Sequence, residues 1–173
     1  MKPLKTASFK ASRWLLLALV LGLAACGFEL RKTPEFAFQS LYTNVAPTSV
    51  LGVELKRNLG ALGNIQLITD AAQAKNAQAI LDIVQESREK TVVGVSPAGQ
   101  VREFQLRIRL KFRLRTPAGK ELIPETELLQ QRDLSYSEVF ALAKEAEEIQ
   151  LYRNMQSDLV QQLLRRLAAV KEL

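Results

Sequence analysis

Histidine is absent from this 173-residue chain, and cysteine occurs once, at Cys26. The commonest general base and a second thiol for an internal disulfide are therefore missing. The sequence also lacks a Gly-rich phosphate loop and a cluster with metal-ligand spacing. Glu125 and Glu127 are the kind of carboxylate pair that remains for acid–base chemistry, but acids at alternate strand positions are usually a solvated face. We expect no enzymatic activity, no cofactor and no bound metal.

Acidic residues are also absent from the first 25 positions, where four cations precede or border an apolar run over residues 14–21. A basic start followed by an apolar run too short to span a bilayer predicts an export signal. It closes on Leu23-Ala24-Ala25-Cys26-Gly27, which is typical of a bacterial lipobox. We expect residues 1–25 to be a lipoprotein signal peptide and Cys26 to receive lipid. The alternatives are a plain signal peptide with a free cysteine, or an uncleaved anchor.

Lipid on Cys26 predicts where the protein resides. Each buried methylene contributes about 0.8 kcal/mol, so a triacylated cysteine would be a stable membrane anchor. Gly27 stands where many bacteria place an Asp that retains lipoproteins in the inner membrane. We therefore expect the inner leaflet of the outer membrane, with the folded body facing the periplasm. Four of the 24 Lys and Arg residues and none of the 18 acids precede Cys26, so the formal charge falls from +6 to about +2 after cleavage.

The rest of the chain alternates between extended and helical patterns. Residues 26–34 are short and polar enough for a lipidated tether, and we expect 35–173 to be a single α+β domain. Strands are predicted over 35–42, 65–69, 79–95, 104–115 and 121–132, with a connector at 70–78. Between the first two strands, leucines at helical spacing follow Thr48 and Ser49, either of which can cap a helix that ends at Gly60 or Gly63. The turns 96–100 and 116–120 join the last three strands into an antiparallel meander.

The segment 104–115 shows the strongest pattern, because apolar and polar residues alternate along its whole length. Successive strand side chains point to opposite faces, so one face should build the core and the other should be a row of cations. We interpret it as the central strand of the sheet. Its cations are Arg107, Arg109, Lys111, Arg113 and Arg115.

Cross-strand acids offer a structural explanation for part of this row. If Arg115 lies opposite Glu121, Lys111 lies opposite Glu125 and Arg109 opposite Glu127. Such pairs stabilise a sheet by about 0.2 to 1 kcal/mol each and need no ligand. This is the favoured interpretation for those pairs.

Arg107 and Arg113 are left over, since Ile123 would face Arg113, and a guanidinium offers a planar fork of donors for phosphate. An anionic lipid headgroup fits a membrane-tethered cationic sheet. Nucleic acid fits less well, because Phe104 and Phe112 lie on the opposite face from the cations.

A second helix is predicted at the end of the chain. Ser135 with Glu138 would make a capping box, although the helix could also start later, near Lys144. Its apolar stripe is Ile149, Tyr152, Met155, Leu159, Leu163, Leu167 and Val170.

These features together resemble the LptE family of lipopolysaccharide-assembly lipoproteins. The resemblance rests on the start Cys26-Gly27-Phe28-Glu29-Leu30-Arg31, on the turn Gly99-Gln100 before the long strand, and on Ala141-Leu142-Ala143-Lys144 before an acidic helix start. It covers essentially the whole chain after the signal. Departures are Glu29, where the family often has His, and Lys32, where Gly is common.

The resemblance implies a two-layer α+β sandwich, with two helices on one face of a mixed, mostly antiparallel sheet of about four to five strands. It implies a plug inside the outer-membrane barrel (LptD-like) that inserts lipopolysaccharide, helping that barrel assemble and contacting lipopolysaccharide. Lys144 matches a lysine suited to a lipid A phosphate, whereas Pro97 stands where relatives can have a basic residue. Lipopolysaccharide-binding candidates are thus Arg107, Arg113, Lys144, Arg109 and Lys111. The alternatives are an adaptor lipoprotein for another envelope complex and a small periplasmic lipid carrier.

Overall fold

The computed structural model describes residues 34–173. The predictions for the signal peptide, for the lipid on Cys26 and for nearly all of the tether therefore lie outside the described residues. Within the described part, five strands form one sheet in the order β2-β1-β3-β4-β5. The strands are β1 (Ser40–Thr43), β2 (Gln66–Ile68), β3 (Ala79–Val95), β4 (Val101–Arg115) and β5 (Glu121–Ser135).

The sheet is mixed, as predicted. β1 pairs in parallel with both β2 and β3, whereas β3, β4 and β5 form an antiparallel meander. The prediction of β4 as the central strand was wrong, since β3 occupies the middle place in the order. β4 is an interior strand nonetheless, with a hydrogen-bonded neighbour on each side.

Helix α1 (Val50–Leu62) joins β1 to β2. The sequence offered two residues for each end, and the structure uses Ser49 and Gly63. The Ser49 hydroxyl accepts a hydrogen bond from the Gly52 N–H, and Gly63 ends the helix with φ of 72°. A left-handed residue after the last turn is a common helix stop, and glycine adopts it without a Cβ penalty.

Helix α2 (Ala141–Ala168) ends the fold, and its start differs from the prediction. Ser135 is the last residue of β5, and a short 3-10 turn, Glu138–Phe140, precedes the helix. No capping box forms at Ser135, because the chain remains extended there to complete its pairing with Glu103. Phe140 takes the N-cap position without a side-chain hydrogen bond.

Both helices contribute to one core that lies against a single face of the sheet, which we call the core face. The apolar positions of β4 point into it, and Leu106, Ile108, Leu110, Phe112 and Leu114 are all 0% exposed. The opposite face carries the five predicted cations of β4, and we call it the polar face. The predicted class, a two-layer α+β sandwich, is confirmed.

Candidate functional site

The polar face of β4 presents the predicted cations, but the acids that meet them are not those the sequence suggested. Arg115 does lie opposite Glu121, yet Lys111 lies opposite Glu127 and Arg109 opposite Leu129. The register shifts between Phe112 and Arg115, where β5 contains Pro124. Proline has no N–H to donate to a sheet ladder, so it occurs where pairing is interrupted.

Asp82 of β3 is the acid that holds two of these cations. Its carboxylate accepts one hydrogen bond from Arg113 Nε at 3.0 Å and another from Arg115 Nε at 2.8 Å. Asp82 is opposite Arg113 in the β3–β4 register. Partial burial raises the pKa of this carboxyl, but the hydrogen bonds and charges of Arg115 and Arg113 outweigh burial and hold the pKa below its ordinary 3.8.

Arg109 lies between two acids from different strands. Its Nε is 3.5 Å from a Glu89 oxygen, and its Nη1 is 3.4 Å from a Glu127 oxygen. The sequence predicted that Arg109 and Glu127 lie directly opposite each other. In the structure they contact each other diagonally, because Leu129 lies opposite Arg109. Both Arg109 Nε and the Oγ of Ser87, its partner on β3, are buried without a hydrogen bond among the described residues.

Of the five predicted cations of β4, Arg107 and Lys111 are the two that form no ion pair among the described residues. Arg107 donates a hydrogen bond to the neutral Gln105 side chain. Lys111 lies opposite Gln85 and Glu127, but the Glu127 carboxylate contacts Arg109 instead. These two side chains are therefore the polar-face cations with charge left for an anionic ligand.

Lys144 lies elsewhere, at the start of α2. Its ammonium donates to Ser135 Oγ at 3.0 Å and to a Glu147 oxygen at 2.8 Å, and 19% of the side chain is exposed. These contacts fasten the helix start to the end of β5. The structure does not bring Lys144 together with Arg107 and Arg113, because α2 packs on the core face and the two arginines point from the polar face.

Along β4 the arginines are also separated. Arg107 and Arg113 are six residues apart on one strand, which corresponds to about 20 Å. The four predicted ligand residues of β4 thus form a spread charged surface rather than one pocket, and Lys144 lies apart from them. Among the described residues no group of three or more acids is placed to hold a metal ion. No helix there has the length and apolar character of a membrane span.

Sequence reasoning missed Asp82, although a signal existed. The turn at 96–100 predicts a β3–β4 hairpin, and counting back from it reaches Asp82 near Arg113. An irregularity between Ile83 and Gln85 changes the partner by one residue, and a one-residue change moves every side chain to the other face.

It also missed the exposed apolar side chains near the start of α2. Ile149 was predicted in the core stripe, and it is 54% exposed. Val139 and Leu142, at 84% and 83%, are still more exposed. Helical spacing predicts which residues share a face, but it does not predict how far along the helix that face is covered.

Comparison with known proteins assigns a family. The model of the LptE lipopolysaccharide-assembly family matches residues 38–167. The solution structure of lipoprotein B from Nitrosomonas europaea is 35% identical, with a TM-score of 0.69, and the match covers 83% of this chain and 91% of that one.

Two further structures share the fold. Rare lipoprotein B from Shewanella oneidensis is 23% identical with a TM-score of 0.63, covering 75% of this chain and 94% of that one. A minor lipoprotein from Acinetobacter baumannii is 23% identical with a TM-score of 0.61, covering 78% and 94%. The matched residues run from just before β1 almost to the end of α2. This chain therefore belongs to the LptE family of lipopolysaccharide-assembly proteins.

Proposed function

We propose that the protein is an outer-membrane lipoprotein, anchored through Cys26 in the inner leaflet, that plugs and helps assemble the lipopolysaccharide-transport barrel. The observation that carries this proposal is the family match over residues 38–167, which spans all five strands and nearly all of α2. The role is binding and scaffolding rather than catalysis. In this proposal residues 1–25 are removed as a signal peptide, and residues 26–34 tether the domain to the membrane.

The proposed partner explains why a charged sheet face is useful. The interior of an outer-membrane barrel is polar, so a protein inside it can present a charged sheet face to the barrel wall. The polar face of this sheet supplies ion pairs between strands together with the two uncompensated cations Arg107 and Lys111.

Co-purification tests the plug role directly. The full chain with a C-terminal tag would be expressed in its own host and purified from outer membranes in detergent. We expect a lipopolysaccharide-assembly barrel to remain bound at near-equimolar ratio, identified by mass spectrometry. A clean monomer would refute the plug and favour the lipid-carrier alternative. The matched control is the Cys26→Ala chain, which should lose outer-membrane attachment if Cys26 carries the lipid.

Contact with lipopolysaccharide is the second part of the proposal, and we assign it first to Arg107 and Lys111. Phosphates attract guanidinium and ammonium groups whose charge is not already paired. Arg113 and Lys144 remain candidates, but a ligand phosphate would have to compete there with Asp82 and Glu147.

Charge reversal ranks these candidates. We expect Arg107→Glu with Lys111→Glu to weaken lipopolysaccharide binding about tenfold or more at low salt, and Arg113→Glu or Lys144→Glu to weaken it less. The measurement is a binding titration with purified lipopolysaccharide, with circular dichroism as the check of folding. Unchanged binding by the double variant would remove the ligand role from Arg107 and Lys111, and a larger loss with Lys144→Glu would move it to the start of α2.

A further inference from the structure

The first two turns of α2 continue the apolar face of the helix beyond the covered part of the core. Leu142 and Ile149 are separated from each other by seven residues, and Ile149 precedes the buried Val160 by eleven. Both spacings are close to whole helical turns, so the three side chains lie on one side of the helix. Val160 is 0% exposed, whereas Leu142 and Ile149 are 83% and 54% exposed.

The lengths of the two helices explain this difference. α2 has 28 residues and is about 42 Å long, whereas α1 has 13 residues and is about 20 Å long. α1 can therefore lie alongside no more than about half of α2. The buried residues of α2 begin at Met155, and those before it belong to the half that α1 cannot reach.

Strand β3, which contacts α2 through Tyr152 and Lys90, also lacks a neighbour on one side in the described chain. β1 pairs with β3 only from Ala79 to Leu81, and Asn44 then bonds both backbone groups of Ile83. From there to Val95, β3 is an edge of the sheet. Its exposed valines are Val84, Val92, Val93 and Val95. We use the name open end for the exposed apolar residues Val139, Leu142 and Ile149 around the start of α2, together with Val92 on the unpaired part of β3.

Contacts between α2 and β3 fix the shape of the open end. Tyr152 donates a hydrogen bond to the Glu89 carbonyl at 2.9 Å, and Lys90 pairs with Glu148 at 2.6 Å. The Lys90 ammonium also lies 4.3 Å from the centre of the Phe104 ring. These contacts fasten the helix to β3, so its exposed apolar side chains are held in place by the sheet.

The charges around the open end favour a protein over a phosphate-bearing lipid. Lys144 and Lys90 are paired with Glu147 and Glu148. Among the described residues Glu138 and Glu145 form no ion pair, and neither do Arg102 and Arg153. The margin therefore has no excess of cations to attract phosphates, and an apolar patch with a polar rim of mixed charge is typical of protein–protein contact.

We propose that the open end is a docking surface for an apolar protein segment with charged residues of both signs at its margin, which takes the place beside α2 that α1 is too short to fill. The inference rests on the proposed function, in which the protein partner is the lipopolysaccharide-assembly barrel. Acyl chains of lipopolysaccharide are the competing occupant.

The test compares two matched double variants of the full-length, lipidated chain. Leu142→Gln with Ile149→Gln changes the open end, and Val50→Gln with Val53→Gln changes exposed valines of α1, which are 55% and 53% exposed. We expect the first variant to release the barrel about tenfold faster in detergent and the second to behave as wild type. All four side chains are exposed, so neither variant should lower the melting temperature.

A photoreactive benzoylphenylalanine at position 142 identifies the occupant. We expect an adduct with the barrel polypeptide, identified by mass spectrometry. An adduct with lipopolysaccharide alone, or equal release of barrel by the two double variants, would overturn the docking surface while the plug role stands. If wild-type protein brings down no barrel, the proposed function fails, and this assignment of the partner fails with it.

Discussion

Of the residues on the polar face, Asp82 should contribute most to the free energy of unfolding. Its carboxylate is the acceptor for both Arg113 and Arg115, and its side chain is 16% exposed. We expect Asp82→Asn to lower the free energy of unfolding by about 1 to 2 kcal/mol at neutral pH, since two guanidinium groups lose a charged acceptor in a partly screened setting. Urea unfolding measures this. The control is Glu121→Gln, which removes an acid that forms no ion pair among the described residues.

The same residue predicts a pH dependence. The pKa of Asp82 is lower in the folded protein than its ordinary 3.8, so its charge stabilises the fold above that value. The stability advantage of wild type over Asp82→Asn should be constant above about pH 5 and should shrink as the pH falls through the folded pKa. A difference that stays constant down to pH 2 would show that Asp82 does not act through its charge.

Asp82 also shows the limit of sequence reasoning at single residues. Alternation correctly placed the five cations from Arg107 to Arg115 on one face, because that pattern depends only on the two-residue period of a strand. The partners depend on register, and register depends on irregularities near Ile83 and Pro124 that alternation does not reveal. Arg113 was therefore predicted opposite Ile123 of β5 without an acidic partner, whereas its acid comes from β3.

Helix α1 contains two glycines, and we expect their replacement by alanine to have opposite effects on stability. A Cβ at Gly52 would collide with the backbone oxygen of Ala46, which Ser49 holds through both its N–H and its hydroxyl. A Cβ at Gly60 would meet nothing within 4 Å. We expect Gly52→Ala to destabilise the protein by about 1 to 3 kcal/mol. Gly60→Ala should stabilise it by about 0.5 to 1 kcal/mol, because alanine favours a helix interior.

Thermal unfolding of the two glycine variants provides the measurement, and each is the control for the other. Both substitutions add one methyl group to the same helix, so a general effect of alanine would change both melting temperatures in the same direction. A stabilised Gly52→Ala protein would contradict the close packing of α1 against the loop at Ala46.

Element ends were predictable where a local signal exists and unpredictable where tertiary pairing decides. Ser49 and Gly63 end α1 through hydrogen bonds and a backbone conformation within a few residues of each other. The start of α2 has no such signal, since Ser135 resembles a cap in sequence but is extended by its pairing with Glu103. A local pattern cannot predict that a strand continues through a residue that could cap the following helix.

At the scale of the whole molecule, the two halves of α2 should differ in local stability. The half from Met155 onward is buried in the shared core, whereas the half before it rests on a few polar contacts such as Tyr152 with Glu89. Segments with few buried apolar contacts open locally at low cost in free energy. In the isolated protein we therefore expect amide hydrogens of residues 141–149 to exchange at least about tenfold faster than those of residues 155–167. Hydrogen exchange followed by mass spectrometry measures both segments in one sample.

The complex with the barrel turns this difference into a test of the open end. If a partner segment packs beside Leu142 and Ile149, exchange over residues 141–149 should slow on assembly, because a binding partner that covers a segment stabilises its closed form. Residues 155–167 should change little, since their side chains are already covered by α1 and the sheet. Equal protection of the two segments in the isolated protein would contradict the uncovered state of the first half. Unequal protection that persists in the complex would place the barrel contact on another surface, with the polar face of β4 as the next to examine.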